Sequence, residues 1–378
     1  MAVRGRARAA VAAVLGLALL SGGCTAPAAS TTTAGIRAAL DRRAAVVRAG
    51  LPPELPLGPL AYRPLSVDRR GDRATVRAEL SYRFTGYDPG AVTAARTLEL
   101  AERDGRWQVV TDRPAGGAPR QLWEQGRIDV VRGARSLVLG VAGDRPRLRG
   151  LAAVADRAVP AVSAVWPRPW ARRLVVLAPA TLPDMAALLG AEAAGYRGIA
   201  AVTTGETGGR PDAPADRVVV NPEAYAVLSD TGRAVVITHE AVHVATRADT
   251  SAATPLWLSE GLADWMAYRD ADGAAGQTGR ELREAVRAGR LPDALPDDRD
   301  FAFDADPEAL ARAYEGGRQA CELIAEGWGE SDLVAFYRAV GRHGRRAGAV
   351  EAALREVLGV TPAEFTARWR AHLRERLG

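Results

Sequence analysis

Lysine is absent from this sequence, and all 50 of its basic residues are arginine. Codon bias in a GC-rich genome explains this most simply, so arginine counts do not indicate recognition sites. Three arginines lie in the first 23 residues, which contain no acid, and the net charge of +5 is correspondingly smaller for the rest of the chain. Acidic and basic residues are interspersed from there on. The pI of about 9.6 therefore gives no reason to expect a nucleic-acid partner.

Cysteine is almost absent too, with only Cys24 and Cys321. Cys24 follows a leader with arginines near its start and an apolar run, residues 9–20, that is short for a bilayer span. The six residues that end at Cys24 (LLSGGC) resemble a bacterial lipobox, although Ser21 stands where an aliphatic residue is usual. We expect a signal peptide over residues 1–23 and a lipid on Cys24 that anchors the protein to the outer face of the cell membrane. A secreted protein with an ordinary signal peptide is the alternative. Cys321 is then interpreted as a small core residue.

A small α+β domain is predicted after a flexible tether of residues 24–33. Residues 35–49 have helical composition, and apolar and polar residues alternate over 74–84. Two further alternating runs flank Asp104-Gly105, which predicts a hairpin. The strand pattern of residues 34–113 and the turn Asp-Gly-Arg-Trp resemble the nuclear-transport-factor-two-like domains of bacterial lipoproteins. No cluster of catalytic residue types lies in this region.

A second domain, residues 128–378, is predicted after a linker at 114–127 that is polar and contains Gly and Pro. Its first half alternates apolar strands with helices, which indicates a sheet packed by helices, and from Thr231 onward the pattern is almost wholly helical. The fold class is therefore α+β. The predicted strands are Ser136–Val141, 173–177, 198–203 and Arg217–Val220, and the predicted helices are 148–166 and Leu182–Leu189.

Histidine is scarce, with four residues, yet two of them stand in the sequence His239-Glu240-Ala241-Val242-His243. Residues four apart lie on one face of an α-helix, so both imidazoles can bind one metal ion. Glu240 is offset by one position and can reach a water on that ion as general base. The apolar flanks indicate a buried helix, with Asp230 and Thr231 as candidate N-caps. A chance match on a surface helix is the alternative.

A third ligand is predicted at Glu260. It lies in a helix expected to start at Thr254-Pro255, with Thr as N-cap and Pro at the first helical position. A carboxylate flanked by Trp, Leu and Gly is unusual on a surface but sensible as a ligand. Asp264, one turn later, can accept the second ring proton of a histidine ligand. A solvated acid pair is the alternative interpretation of these two residues.

Asp249 is a rival third ligand, because it follows His243 by six residues, the spacing found in metzincins. That arrangement needs a sharp turn at position 246, where glycine is usual. Thr246 is β-branched and resists such backbone angles, which disfavours Asp249.

Together, His239-Glu240-x-x-His243 and Trp257-Leu258-x-Glu260-Gly261-x-Ala263-Asp264 resemble the gluzincins, and more specifically the peptidase MA-like domains of bacterial surface proteins. The resemblance covers roughly residues 135–375. It implies a zincin fold, with a twisted sheet over an active-site helix and a helical C-terminal half, and it implies zinc. It also implies that the strand at 198–203 pairs with an extended substrate. The gap between His243 and Glu260 is shorter than in thermolysin-like enzymes.

An oxyanion-stabilising donor is still needed for catalysis, and Tyr314, Tyr268 and His343 are candidates. In aminopeptidase-type gluzincins a tyrosine from a downstream helix has this role, and Tyr314 resembles it in position; a core-edge aromatic is the alternative. His343 and His372 are expected to be solvated. The acidic stretch 296–307 is interpreted as a solvated loop near the cleft.

The function predicted from these residues is that of an extracytoplasmic zinc peptidase. Its partners are a peptide or protein substrate and, through the lipid anchor, the membrane; we expect no nucleic acid and a monomer. The alternative is a non-enzymatic surface lipoprotein in which a metallopeptidase fold acts as a binding or structural module. Retention of Glu240 disfavours it, since a structural zinc needs no general base.

Overall fold

The computed structural model describes residues 28–205, 213–269, 279–302 and 306–378, and within them the chain forms a mixed α+β structure with two sheets. The leader and Cys24 lie outside the described residues. Helix α1 begins at Ala28, so the segment expected to be a flexible tether is helical from that residue onward. In the described ranges no helix is both long and apolar enough to cross a membrane.

The N-terminal sheet has four antiparallel strands in the order β1-β2-β3-β4 and contacts α1. The predicted hairpin is confirmed: Asp104 and Gly105 join β3 to β4, and both have positive φ, at 50° and 71°. Strand β1 was not predicted, because it is rich in arginine and mostly exposed. The likeness to nuclear-transport-factor-two-like domains stays a prediction. The strands are β1 (Ala61–Arg70), β2 (Arg73–Tyr82), β3 (Val92–Arg103) and β4 (Arg106–Pro114).

The second sheet has the order β5-β6-β7-β9-β8, with three parallel central strands and antiparallel strands at both edges. The four predicted strands are confirmed, two of them with the predicted bounds. Side chains of β7 alternate between two hydrophobic cores: Leu174 and Val176 face the helices, and Val175 faces the N-terminal domain. Burial on both faces explains why these strands are continuous apolar runs. The strands are β5 (Ile128–Arg132), β6 (Ser136–Val141), β7 (Leu174–Ala178), β8 (Ala201–Thr203) and β9 (Arg217–Val220).

The two predicted domains share a hydrophobic core. A buried ion pair connects them, in which Asp88 accepts two hydrogen bonds from the Arg217 guanidinium at 2.7 and 2.9 Å. Within residues 114–127, Gln121 is buried and accepts a hydrogen bond from the Tyr82 hydroxyl. The N-terminal domain therefore covers the outer face of the second sheet.

Helices make up the C-terminal half of the described chain, as the sequence predicts. The two helices that carry the candidate ligands, α5 and α6, pack against each other, and α8 packs along α6. The helices are α1 (Ala28–Ala49), α2 (Arg145–Val165), α3 (Leu182–Leu189), α4 (Pro222–Ala226), α5 (Asp230–Thr246), α6 (Leu256–Tyr268), α7 (Arg280–Arg287), α8 (Pro307–Gly327), α9 (Glu330–Gly341), α10 (Ala349–Ala353) and α11 (Pro362–Leu377).

The N-caps of α5 and α6 are not the predicted residues. Ser229, not Asp230 or Thr231, caps α5 by accepting the Gly232 N–H. Thr254 does not cap α6, because its hydroxyl instead accepts the Ser251 N–H in the preceding turn.

The start of α6 is capped by a residue that lies far along the chain. The first helical N–H, that of Leu256, donates to Asp298 Oδ1 at 2.9 Å. Asp298 also pairs with Arg346 at 2.7 Å. Part of the acidic stretch expected to be a solvated loop thus holds the helix that carries Glu260.

Helices α6 and α8 are in backbone contact at Gly261 and Gly317. A Cβ added to Gly261 would lie 2.4 Å from the Gly317 carbonyl group. Because this neighbour is backbone, no side chain can rotate to relieve the contact. We expect Gly261→Ala to lower the free energy of unfolding by about 3 kcal/mol, at the upper end for an overpacked core. Urea unfolding followed by circular dichroism measures the change.

Gly150→Ala on α2 is the matched control, because nothing lies within 4 Å of an added Cβ there. It should leave stability unchanged or raise it by about 0.5–1 kcal/mol. Similar losses in the two variants would contradict the close crossing at Gly261.

Candidate metal centre

Helices α5 and α6 bring three potential ligand atoms together. His239 and His243 project from one face of α5, and their Nε2 atoms are 3.1 Å apart. Glu260 on α6 places Oε2 at 3.2 Å from the His239 Nε2 atom and at 3.5 Å from that of His243. Asp249, the rival ligand, lies in a 3₁₀ turn after α5 and pairs with Arg338 at 3.2 Å.

The spacing of these three atoms fits a zinc ion. Zinc holds nitrogen and oxygen ligands at about 2.0–2.1 Å in a tetrahedron, whose corners are about 3.3 Å apart. The separations of 3.1, 3.2 and 3.5 Å scatter around that value. Asp264 lies 2.7 Å from Nδ1 of His239, so with the Nδ1 proton donated to this carboxylate, Nε2 is the nitrogen that would bind a metal. The donor set and its spacing therefore suit a bound divalent cation.

The electrostatics of the cluster favour positive charge. Burial by itself would raise the pKa of Glu260, but the positive charge of His243 and hydrogen bonds from both histidines hold it well below its usual range. Burial likewise lowers the pKa of His239, and the hydrogen bonds and charge of Asp264 and Glu260 outweigh it, so that this pKa lies well above the usual value. The carboxylates thus create a site of negative potential around the two imidazoles.

Glu240 lines the same cavity as the three ligand atoms, next to His239 on α5, and only 6% of it is exposed. Its Oε2 accepts a hydrogen bond of 2.6 Å from the Thr203 hydroxyl, which comes from strand β8. It is not one of the three clustered ligands. Thr203 is a site residue that sequence reasoning missed, because a three-residue strand is too short for its alternation to show which side chain faces the helix.

Tyr314 on α8 also lines the cavity, and its ring packs edge-on against Phe301 at a centroid distance of 5.2 Å. Burial, together with the negative charges of Glu260, Asp264 and Glu240, raises the pKa of its phenol far above the usual value. The phenol is therefore protonated at neutral pH and can donate a hydrogen bond.

Tyr268 lines the same cavity, and burial with the charge of Asp264 raises its pKa to about 12. His343 lies in the turn that follows α9. The expectation that His372 is solvated was wrong: it is buried and hydrogen-bonds to Gln319 at 2.8 Å. His372 lies on the same face of α11 as the buried apolar residues. Arginines at the intervening positions obscured this pattern in the sequence.

Strand β8 is an edge of the sheet and lines the cavity of about 990 Å³ that contains the ligands. Two main-chain hydrogen bonds define how β8 pairs with β9. Thr204 N–H donates to Arg217 O, and Asn221 N–H donates to Ala200 O. Hydrogen-bonded and non-hydrogen-bonded pairs alternate along an antiparallel ladder. The main-chain groups of Ala201 and Thr203 therefore face away from β9, towards an edge at which no described strand pairs with β8.

Comparisons with known proteins are sparse. No protein-family model and no curated protein matches this sequence. Among solved structures, the chain is similar to an M1 zinc metallopeptidase from Deinococcus radiodurans, at 15% identity over 84% of this chain and 61% of that chain, with a TM-score of 0.32.

Two related structures give the same result. A variant of the Deinococcus radiodurans enzyme bound to a tripeptide substrate is 15% identical, over 85% of this chain and 62% of that one, with a TM-score of 0.32. A two-domain M1 zinc metallopeptidase variant bound to L-arginine is 16% identical, over 83% and 62%, with a TM-score of 0.33. This chain thus spans about 62% of their length. Scores at this level carry no argument about chemistry, which has to come from the site itself.

Proposed function

We propose that the protein is a zinc-dependent peptidase of the gluzincin type, with a zincin-like domain in residues 128–378. The observation that carries this proposal is the convergence of His239, His243 and Glu260 at tetrahedral spacing, with the carboxylate of Glu240 in the same cavity. A structural zinc site uses four protein ligands, whereas a catalytic one keeps a position open for water or substrate. Three ligands with the buried carboxylate of Glu240 beside them match the catalytic pattern.

Zinc bound there would lower the pKa of a coordinated water and polarise the substrate carbonyl. Glu240 accepts a proton as water attacks the peptide carbon and then passes it to the leaving amine. Asp264 holds His239 in the tautomer that a ligand needs, through the 2.7 Å bond to Nδ1. In this scheme Glu240 transfers the proton and Asp264 orients His239.

Tyr314 is the proposed donor to the oxyanion of the tetrahedral intermediate, because its phenol stays protonated and lies in the same cavity. The open edge of β8 is the proposed binding strip for an extended substrate. An unpaired edge strand offers main-chain donors and acceptors to any peptide backbone, which suits substrates of varied sequence.

Peptide hydrolysis tests the proposal directly. Purified protein lacking the leader and loaded with one zinc should cleave members of a mixed peptide library, detected by mass spectrometry. Cleavage should stop when a chelator removes the metal and return when zinc is restored. A zinc-replete protein that cleaves no peptide and no protein substrate would contradict the proposed function. If the wild type and Glu240→Gln then bind a partner equally well, a binding module is favoured.

We also propose that the protein works outside the cytoplasm, anchored through a lipid on Cys24, and as a monomer, since one chain supplies the proposed ligands and base. The support for the location and the anchor is the leader pattern alone. Cys24→Ser should release the protein into the medium or block processing of its precursor. Fractionation and immunoblotting measure this, with Cys321→Ser as the control that keeps membrane attachment. Unchanged membrane retention of Cys24→Ser would contradict the anchor.

A further inference from the structure

The side chain of Thr203 joins the sheet edge to the proposed general base. We infer that Thr203 is a positioning residue: its hydroxyl holds one oxygen of the Glu240 carboxylate so that the other oxygen faces the cavity. This inference rests on the proposed peptidase function for its kinetic consequence. Its structural content, the dependence of the Glu240 conformation on the Thr203 hydroxyl, can be tested without any activity.

Two oxygens of Glu240 lie within reach of the Thr203 hydroxyl, and only one can receive its single proton. Oγ1 is 2.6 Å from Oε2 of the carboxylate and 3.2 Å from the main-chain oxygen. The main-chain oxygen already accepts an N–H one turn further along α5, as every interior carbonyl of a helix does. At 2.6 Å the carboxylate oxygen is the nearer of the two acceptors. The proton therefore goes to the carboxylate.

The pleat of β8 explains why this hydroxyl points at α5. Alternate residues of a strand face opposite sides of the sheet. Val202 packs with the core shared with the N-terminal domain, and Ala201 belongs to the core beneath the helices. Thr203 therefore shares the side of Ala201 and faces the active-site helix. Its β-branched side chain has restricted χ1 freedom, so the strand fixes the direction of the hydroxyl.

The carboxylate of Glu240 depends on this contact for its orientation. In the described part of the chain, no donor other than Thr203 reaches it. Because Oε2 of the carboxylate is bound by Thr203 on the side of β8, the other oxygen is the one available to the cavity that contains the ligands. The main-chain groups of the same residue face the open edge of β8. Thr203 therefore links the strand that would hold the substrate backbone to the group that would receive the proton.

Thr203→Val removes the donor and keeps the shape of the side chain, and Thr203→Ser keeps the donor. With a peptide that the wild type cleaves, Thr203→Val should lower kcat by about 10- to 100-fold, the loss expected for one hydrogen bond to a charged group. Zinc content and KM should stay near the wild-type values, and Thr203→Ser should restore most of kcat. Thr204→Val is the matched control, because its hydroxyl accepts the Arg217 N–H and does not contact Glu240.

Crystal structures of the zinc-loaded wild type, Thr203→Val and Thr203→Ser supply the readout that needs no activity. We expect Oε2 of Glu240 on the hydroxyl in the wild type and in Thr203→Ser, and a turned or multiply oriented carboxylate in Thr203→Val. A Glu240 carboxylate that keeps its position in Thr203→Val overturns the inference, whatever the activity. If the wild type cleaves nothing, the proposed function fails, and the crystal structures alone decide the role of Thr203.

Discussion

Glu240→Gln should abolish peptide hydrolysis while the protein keeps its zinc. The amide has nearly the size of the carboxylate, and its oxygen can still accept the 2.6 Å hydrogen bond from Thr203, so the side chain has no reason to move. An amide cannot take up a proton at neutral pH. Loss of a general base costs about 10²–10⁴-fold in rate, and loss of the same group as proton donor to the amine adds to that.

Three measurements on Glu240→Gln separate chemistry from folding: zinc per chain by elemental analysis, the thermal unfolding midpoint, and kcat with the best peptide from the library. Glu281→Gln is the matched control, because Glu281 lies in the same cavity but pairs with the neighbouring Arg280 at 3.0 Å. It should keep most of the activity. A zinc-replete Glu240→Gln protein that hydrolyses as fast as the wild type would exclude the role given to Glu240.

The helices around the candidate site could be predicted because their signals are local. A spacing of four between His239 and His243 puts both on one helical face whatever surrounds the helix. The same holds for Glu260 and Asp264 on α6. What no local pattern contains is the crossing of α5 over α6, which brings Glu260 Oε2 to 3.2 Å from His239. The apolar neighbours of Glu260 suggested that it is a ligand, and the resemblance to gluzincins supplied the expectation that it meets the two histidines.

Long-range contacts account for the features that the sequence did not predict. The first N–H of helix α6 is accepted by Asp298, more than forty residues later, and not by the predicted cap. Helix α1 begins at Ala28, within the polar stretch that suggested a tether. His372 is buried because Gln319 on another helix provides a hydrogen-bond partner.

The packing of the two domains against each other could not be predicted either, because it also depends on long-range contacts. An apolar strand such as Leu174–Ala178 is buried on both faces, but its composition does not say what covers each face. The buried pair of Asp88 and Arg217 joins residues 129 positions apart, and nothing near either residue marks it. One consequence concerns the site: Arg217 lies on β9, the strand to which β8 is paired, so the N-terminal domain supports the sheet edge that lines the cavity.

Glu260→Ala should weaken zinc binding more than any change outside the ligand set. It removes a ligand whose pKa the two histidines hold far below normal, so an ionised carboxylate is lost from the cluster. Removing an outer partner of a ligand costs about 10- to 100-fold in metal affinity, which is the expectation for Asp264→Asn, and loss of a ligand should exceed it.

Asp249→Ala is the discriminating control for Glu260→Ala, because it removes the rival carboxylate. Asp249 pairs with the partly exposed Arg338, so this variant should keep its zinc affinity and lose little stability. Competition with a chromophoric chelator gives the three affinities, and circular dichroism shows whether each variant is folded. If a folded Glu260→Ala protein binds zinc as tightly as the wild type while Asp249→Ala does not, the ligand set proposed here is wrong and the metzincin-like arrangement is right.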